Sequence, residues 1–266
     1  MTKMRARLLI LCKTYPSPSA QYVETSCVAA MTEGGQLVRL FPVPFRLMED
    51  ENQFKKWQWI EAEIKKAKAD HRQESHQIRV DNLKLDGHVL STAHDWRARR
   101  VWLDRLRLYA GFEQLEADRL ANGVTLGLIK PAKILALEIE PAREPNWTDE
   151  EQAKLLQAQN QPSLFDQPEH ELTTLEKIPY DFYYRYRDPS GAEWRHKISD
   201  WEAGALYRRV IQTHGANWQA PFREKFGRKL LETDLMFLMG TIHRFPDQWL
   251  IVSVIYPPMR LQQQLL

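Results

Sequence analysis

Cysteine is scarce in this chain: Cys12 and Cys27 are the only two among 266 residues. Two cysteines cannot build a disulfide framework or a cysteine-based zinc site. No apolar run comes near the roughly eighteen residues that a membrane-crossing helix requires. The start, MTKMRARLLILCKTYP, is basic and then apolar, as a signal peptide is. Its apolar stretch is short and no small-residue cleavage site follows, so it reads as a first strand. Together these features lead us to expect a cytoplasmic protein with no membrane partner. Also missing are a phosphate loop, a dinucleotide glycine motif, a nucleophile elbow, a His-x-x-x-His zinc pair and a catalytic-cysteine signature. No internal repeat is visible either.

What is present is a core and an uneven charge. The chain is 43% hydrophobic and has nine tryptophans, ample for a sizeable interior. The formal net charge is only +2, yet residues 138–176 hold ten acidic side chains against two basic ones, Arg143 and Lys154. The remainder then carries 35 basic and 25 acidic residues. A basic body joined to an acidic segment favours a polyanionic partner, DNA foremost. Lysines and arginines that merely solvate a surface account for the same composition.

The pattern of elements is α+β. Residues 6–13, 24–31, 36–41, 57–64 and 77–85 read as strands, with Thr32-Glu33-Gly34-Gly35 a hairpin turn and Pro42 and Pro44 a stop. They form an N-terminal antiparallel, barrel-like unit. Helices are expected over 94–109 and 112–121, the latter closed by Asn122-Gly123. Strands follow at 125–129 and 132–139. After the acidic segment come a hairpin, 178–187 and 193–198, around Asp188-Pro189-Ser190-Gly191, a helix from Trp201 capped by Ser199 or Asp200, a helix over 220–231, and strands at 234–240 and 249–256. These give a C-terminal mixed sheet with helices. The organisation expected is a β-rich domain with a helical pair (1–141), an acidic flexible linker (142–176), and an α+β part (177–266) able to complete one sheet with the first.

Within the acidic segment, Gln161-Pro162-Ser163-Leu164-Phe165 resembles the pentapeptide by which bacterial replication and repair proteins dock on the sliding clamp. The resemblance implies that Gln161 is a polar anchor and that Leu164 and Phe165 fill an apolar pocket on the clamp. Pro162 stands where Leu is commoner, a tolerant position. Two such plugs supply about 3–6 kcal/mol before ordering costs. The match covers five residues and implies a docking mode, not an activity; Leu164 and Phe165 folded onto the protein's own core is the alternative.

Four places offer chemistry. The loop Lys13–Ser19 with Tyr22 and Glu24 after it, extended by Arg39 and Arg46, can grip phosphate and stack a base, or be a proline-stiffened connection. On the 178–198 hairpin, strand alternation places Arg185 and Arg187 opposite Tyr184 and Tyr186, with Arg195, His196 and Lys197 on the return strand. That suits phosphate contact, or one buried aromatic face and one solvated basic face. Asp200 and Glu202 at a helix start, near His196 and followed by Arg208, can hold a divalent metal or act as base, or simply cap the helix. His243 and Arg244, in a turn between the last strands, can serve as acid and anion clamp, or be a polar turn. Glu61, Glu63, Lys65, Glu138 and Glu140 make no persuasive nuclease pattern. The expectation is a DNA-associated protein of bacterial replication, repair or defence against foreign DNA. It binds through its basic body, with cleavage or base excision drawing on Glu24, His196, Asp200, Glu202 or His243. An enzyme acting on a small nucleotide or modified base, and a non-catalytic module of a defence complex, are the alternatives.

Overall fold

The first strand, β1 (Met4–Lys13), is buried on both faces from Leu8 to Cys12, and this sets the architecture. Side chains alternate along a strand, so Leu8 and Ile10 point into one apolar cluster while Leu9 and Leu11 point into another. In the computed structural model, which describes residues 3–19, 22–159 and 175–260, the first cluster is the inside of a barrel. The second lies between that barrel and a second sheet.

The barrel is closed by β1, β3 (Val23–Thr32), β4 (Leu37–Val43), β5 (Trp59–Lys66) and β6 (Ser75–Asp86), in the order β1-β5-β6-β4-β3 with β3 returning to β1. The short β2 (Ser17–Ser19) pairs with β3 on the outside. Only β4 and β6 run parallel. The second sheet has seven strands: β7 (Leu108–Tyr109), β8 (Leu126–Ile129), β9 (Lys133–Pro141), β10 (Tyr180–Arg187), β11 (Glu193–Ile198), β12 (Met236–Thr241) and β13 (Trp249–Ile255). Their order is β7-β8-β12-β13-β11-β10-β9, so strands from both sides of the acidic segment share one sheet. One face of this sheet, with Leu126, Leu128, Met236, Leu238 and Val252, packs on the barrel's Leu9, Leu11, Ala29 and Met31. The other buries Phe182, Tyr184 and Tyr186 against the helices α4 (Trp201–His214) and α5 (Gln219–Arg223). The fold is α+β, with mixed sheets in both parts.

Two helices differ from the periodicity that suggested them. The stretch 94–109 is helical only as far as Leu103, in α1 (Ala93–Leu103), and its His94–Trp96 turn is left-handed. Leu108 and Tyr109 leave it to pair in parallel with Leu128 and Ile129, a sheet edge outweighing helical spacing. The stretch 220–231 begins as α5, widens to a π turn over Glu224–Arg228 and tightens to a 3-10 turn over Lys229–Glu232. The cause is a tertiary contact: the buried Tyr184 hydroxyl, forty-two residues earlier, donates to the Phe226 carbonyl at 2.6 Å, competing for an acceptor of the helical ladder. The helix α2 (Phe112–Asn122) closes on Gly123 at φ +70°, as its sequence signals.

The acidic segment is anchored where it is described. Its helix α3 (Asp149–Gln159) lies against β2 and β3 with Leu155 buried, and the Trp147 indole donates to the Leu175 carbonyl at 2.6 Å. A free linker over the whole of 142–176 is thus corrected: apolar Trp147, Leu155 and Leu175 tie its two ends to the body. Gln161, Leu164 and Phe165 lie outside the described residues.

The Thr32–Gly35 turn couples the barrel to the helical region. Gly35 has φ +81°, and a Cβ there would come 2.7 Å from the Arg105 carbonyl oxygen. The variant Gly35→Ala is expected to lose about 1–3 kcal/mol in urea unfolding with an unchanged m-value; an unchanged midpoint would show that the turn can relax.

Candidate functional site at the seam of the two sheets

The end of β1 runs out of the barrel and into the second sheet. Thr14 bridges Asp200, and the Tyr15 amide donates to the Ser199 carbonyl at 3.0 Å. Alternation then sets Lys13 and Tyr15 on the same side, about 7 Å apart along the strand. Opposite them, α4 presents Trp201, Gly204 and Arg208. Gly204 is required here, since a Cβ would lie 2.5 Å from the Tyr15 ring.

Two lysines meet this seam and differ in every respect that matters. Lys56 is deep, donating to Glu202 Oε2 and to the Val254 carbonyl, both at 3.0 Å, and lying 3.7 Å from Asp200. Burial alone would lower its pKa, but Asp200 and Glu202 outweigh it and hold the ammonium above its ordinary value. Asp200 accepts from the Glu202 amide at 2.9 Å and the Val254 amide at 2.8 Å. Its carboxylate is therefore fully used in capping α4 and pinning β13.

Lys13 has no such company. Its Nζ stands 3.2 Å from the Phe45 ring centroid, 5.0 Å from Trp201 and 5.7 Å from Phe54. Its hydrogen bond, to the Phe54 carbonyl, is long at 3.5 Å. Among the described residues no carboxylate lies within 4.0 Å of it. Burial pushes its pKa down to about 7, with only the distant charge of Glu202 opposing.

Near Tyr15 sits a buried carboxyl group. Glu24 is buried and accepts from Arg46 at 3.1 Å; burial pushes its pKa up while Arg46 and Arg208 draw it back. Arg208 donates to the Tyr15 hydroxyl from Nε at 2.8 Å and to Glu176 Oε2 from Nη1 at 3.0 Å. The backbone is strained at both carboxylate clusters. Val23, just before Glu24, has φ +60°, and Trp57, just after Lys56, has φ +66°. Neither is glycine, and such conformations persist only where the surroundings enforce them. At Val23 the enforcement is a tight turn in which the Glu24 amide donates to the Tyr22 carbonyl.

Alongside Tyr15 opens a cleft of about 380 Å³, walled by Trp147 and Tyr180, with Arg143, Lys177, Lys197 and Asp181 at its rim and Ser199 within it. The Ser199 Oγ is buried and has no hydrogen-bond partner. Arg143 is exposed, and no acidic partner falls within ion-pair distance of it among the described residues. Lys177 faces Glu144 and Glu151 and Lys197 faces Asp181, so Arg143 is the rim cation left without a carboxylate among the described residues; with the aromatic walls and the Ser199 hydroxyl it suits a planar ligand carrying an anionic group.

The structure thus brings together Lys13, Tyr15, Glu24, Arg46, Asp200, Glu202 and Arg208, and sets the other sequence candidates apart. Arg39 is buried between the sheets, donating to the Thr125 carbonyl at 2.8 Å, so it ties the two sheets and offers no surface. The hairpin arginines are exposed, opposite buried Tyr184 and Tyr186, as alternation requires. They are also neutralised. Glu138 takes Arg185 at 2.9 Å and Arg195 at 2.7 Å, Glu140 takes Arg195, Glu193 takes Arg187, and Asp181 takes Lys197. The hairpin thus has one buried aromatic face and one exposed basic face whose cations are paired with carboxylates. His196 is packed against Phe112 and meets the Tyr186 hydroxyl at 3.0 Å, where burial lowers its pKa to about 4. His243 and Arg244 sit on the exposed 242–248 turn, His243 facing the Ala69 carbonyl at 3.1 Å. Among the described residues no group of three or more His, Cys, Asp or Glu side chains could hold a metal ion.

Sequence reasoning missed Lys56, Phe45, Phe54 and the Trp147 wall. Only Trp147 left a signal, as the one tryptophan in the acidic segment.

Two family descriptions match the chain. Residues 4–105 match Domain of unknown function (DUF8758), and residues 109–266 match Domain of unknown function (DUF8757). The second match spans more than half of the sequence, and the chain belongs to that family. Both matched regions supply site residues, Lys13, Glu24, Arg46 and Lys56 from the first and Arg143 through Arg208 from the second. No curated protein matches the chain.

The two lysines make opposite predictions. The variant Lys56→Met leaves Asp200 buried without its cation and is expected to lose about 3–5 kcal/mol, read by urea unfolding. Lys13 keeps its proton up to its ordinary value of 10.5 when unfolded but only to about 7 when folded. The unfolded state therefore binds the extra proton between those values, and stability rises with pH from 7 toward 10.5. Lys13→Met should remove that rise; an identical pH slope in the variant would rule out the lowered pKa.

Proposed function

We propose that this is a DNA-associated protein that engages nucleic acid at the seam, through the cleft beside Tyr15. The observation that carries the reading is the contrast between two basic surfaces. The hairpin cations are each matched by a carboxylate, whereas Arg143 lines an aromatic cleft with no carboxylate within ion-pair distance of it among the described residues. Unmatched cations attract phosphate, and Tyr15, Trp147 and Tyr180 offer faces for a base. In this arrangement Arg208 fixes the Tyr15 hydroxyl, Asp200 holds α4 in place, and Glu24 pairs with Arg46. The acidic segment has a separate task, docking Gln161, Leu164 and Phe165 on a sliding clamp in replication, repair or defence.

A small nucleotide or modified base as the substrate is a second reading, favoured by the size of the cleft, which is that of a site for one such molecule. Competition separates the two: a mononucleotide that displaces a single-stranded oligonucleotide at equal concentration favours the second.

Binding to single-stranded DNA is expected to weaken steeply with salt, as counterion release requires; a flat salt response rejects the proposal. Trp147→Ala should weaken it by about 1–3 kcal/mol, while Arg185→Gln with Arg195→Gln leaves it within about twofold, since those cations are already spent on Glu138 and Glu140. For the tether, Leu164→Ala with Phe165→Ala should abolish co-purification with the clamp and leave the melting temperature unchanged.

A further inference from the structure

We infer that the cleft beside Tyr15 receives one unpaired base of a DNA strand, and that the Ser199 hydroxyl reads the edge of that base. The inference rests on the nucleic-acid reading above and deepens it, naming the form of DNA and the side chain that sets specificity.

Two aromatic walls of the cleft offer a base their faces and nothing else. The Tyr15 hydroxyl accepts from Arg208 Nε at 2.8 Å and donates to the Glu176 carbonyl at 2.9 Å. The Trp147 indole donates to the Leu175 carbonyl at 2.6 Å. The polar ends of both side chains are thus spent within the protein. So are the charged groups nearby: Lys177 on Glu144 and Glu151, Lys197 on Asp181, and Asp200 on the Glu202 and Val254 amides. A base stacked on these walls gives up water along its edge and needs a hydrogen-bonding group there in exchange.

Ser199 is that group. Among the described residues it is the one lining the cleft that has a buried side-chain polar atom, Oγ, without a hydrogen-bond partner. Its backbone is fixed on both sides. The Ser199 amide donates to the Ile251 carbonyl at 2.9 Å, and its carbonyl accepts from the Tyr15 amide at 3.0 Å. What freedom remains is the torsion that swings Oγ, a group able both to donate and to accept. Buried polar atoms in folded proteins are paired as a rule. A hydroxyl left over between stacking walls is matched by the polar edge of what stacks there.

Paired DNA cannot supply that edge. In a duplex the faces of a base are covered by its neighbours and its edge by its partner, whereas an unpaired base has both to give. The cleft replaces the two together, with aromatic walls for the stack and Ser199 for the pair. Its volume of about 380 Å³ is on the scale of a site for one small planar ligand. Arg143, at the rim without a carboxylate, meets the phosphate of the same nucleotide.

The test compares wild type with Ser199→Ala, using the full chain and fluorescence anisotropy. The probes are labelled single strands of each base, and matched strands carrying apolar isosteres that keep the shape of the base and lose its hydrogen-bonding edge. Wild type is expected to prefer at least one base over its isostere by about three- to tenfold, the worth of one hydrogen bond. Ser199→Ala should bring that ratio to about one by losing affinity for the natural base alone. It should also keep the wild-type melting temperature or raise it, because Oγ has no bond to lose. A ratio unchanged in the variant, or equal losses on base and isostere, overturns the role of Ser199, as does a lowered melting temperature. Duplex bound as tightly as single strand overturns the unpaired base and leaves the nucleic-acid reading standing. Absence of salt-dependent binding to any strand is the separate failure of that underlying reading, and this inference falls with it.

Discussion

A single buried carboxylate, Asp200, holds the two sheets in register. It caps α4 through the Glu202 amide, fixes β13 through the Val254 amide, and lies beside the Lys56 ammonium that reaches across from the barrel. The segment just before it receives the end of β1, through the Thr14 bridge and the Ser199 carbonyl. A charge buried to this depth is tolerable only when paired and fully hydrogen-bonded. The geometry around it therefore has little freedom, and the Lys13–Tyr15 edge inherits that rigidity. A site built on such an anchor is preorganised without relying on loops.

Charge in this molecule is arranged by folding, not by segment. Along the sequence, Glu138 and Glu140 belong to an acidic stretch and Arg185 and Arg195 to a basic one. In the sheet Glu138 and Glu140 on β9 meet Arg185 on β10 and Arg195 on β11, and the charges cancel. Glu176 likewise meets Arg208. What survives cancellation at the cleft, among the described residues, is Arg143, a more specific feature than net charge.

Much of the fold was legible. The Gly-Gly turn, the Asp188–Gly191 hairpin, the Gly123 cap and the Asp200 cap all follow from residues with strong local preferences. The misreadings came from partners distant in sequence. Leu108–Tyr109 became a strand because Leu128–Ile129 offered an edge, and the 220–231 helix widened because Tyr184, some forty residues earlier, claims the Phe226 carbonyl. For the site, the loop from Lys13 to Glu24 could be picked out by its residue types. Nothing local marked Lys56, since its importance arises only when Asp200 and Val254 arrive beside it. Nor could sequence separate Arg39, buried between sheets, from Arg46 at the rim.

The seam also has a history during synthesis. A ribosome releases the barrel strands first, and at that stage Lys56 has neither Asp200, Glu202 nor the Val254 carbonyl to receive its charge. The Leu9–Leu11 face of β1 is equally uncovered until β8, β12 and β13 emerge. The nascent barrel thus waits with an exposed apolar face and an unmatched lysine, and the amine at Lys13 gains the Trp201 wall of its dry surroundings only after α4 has docked.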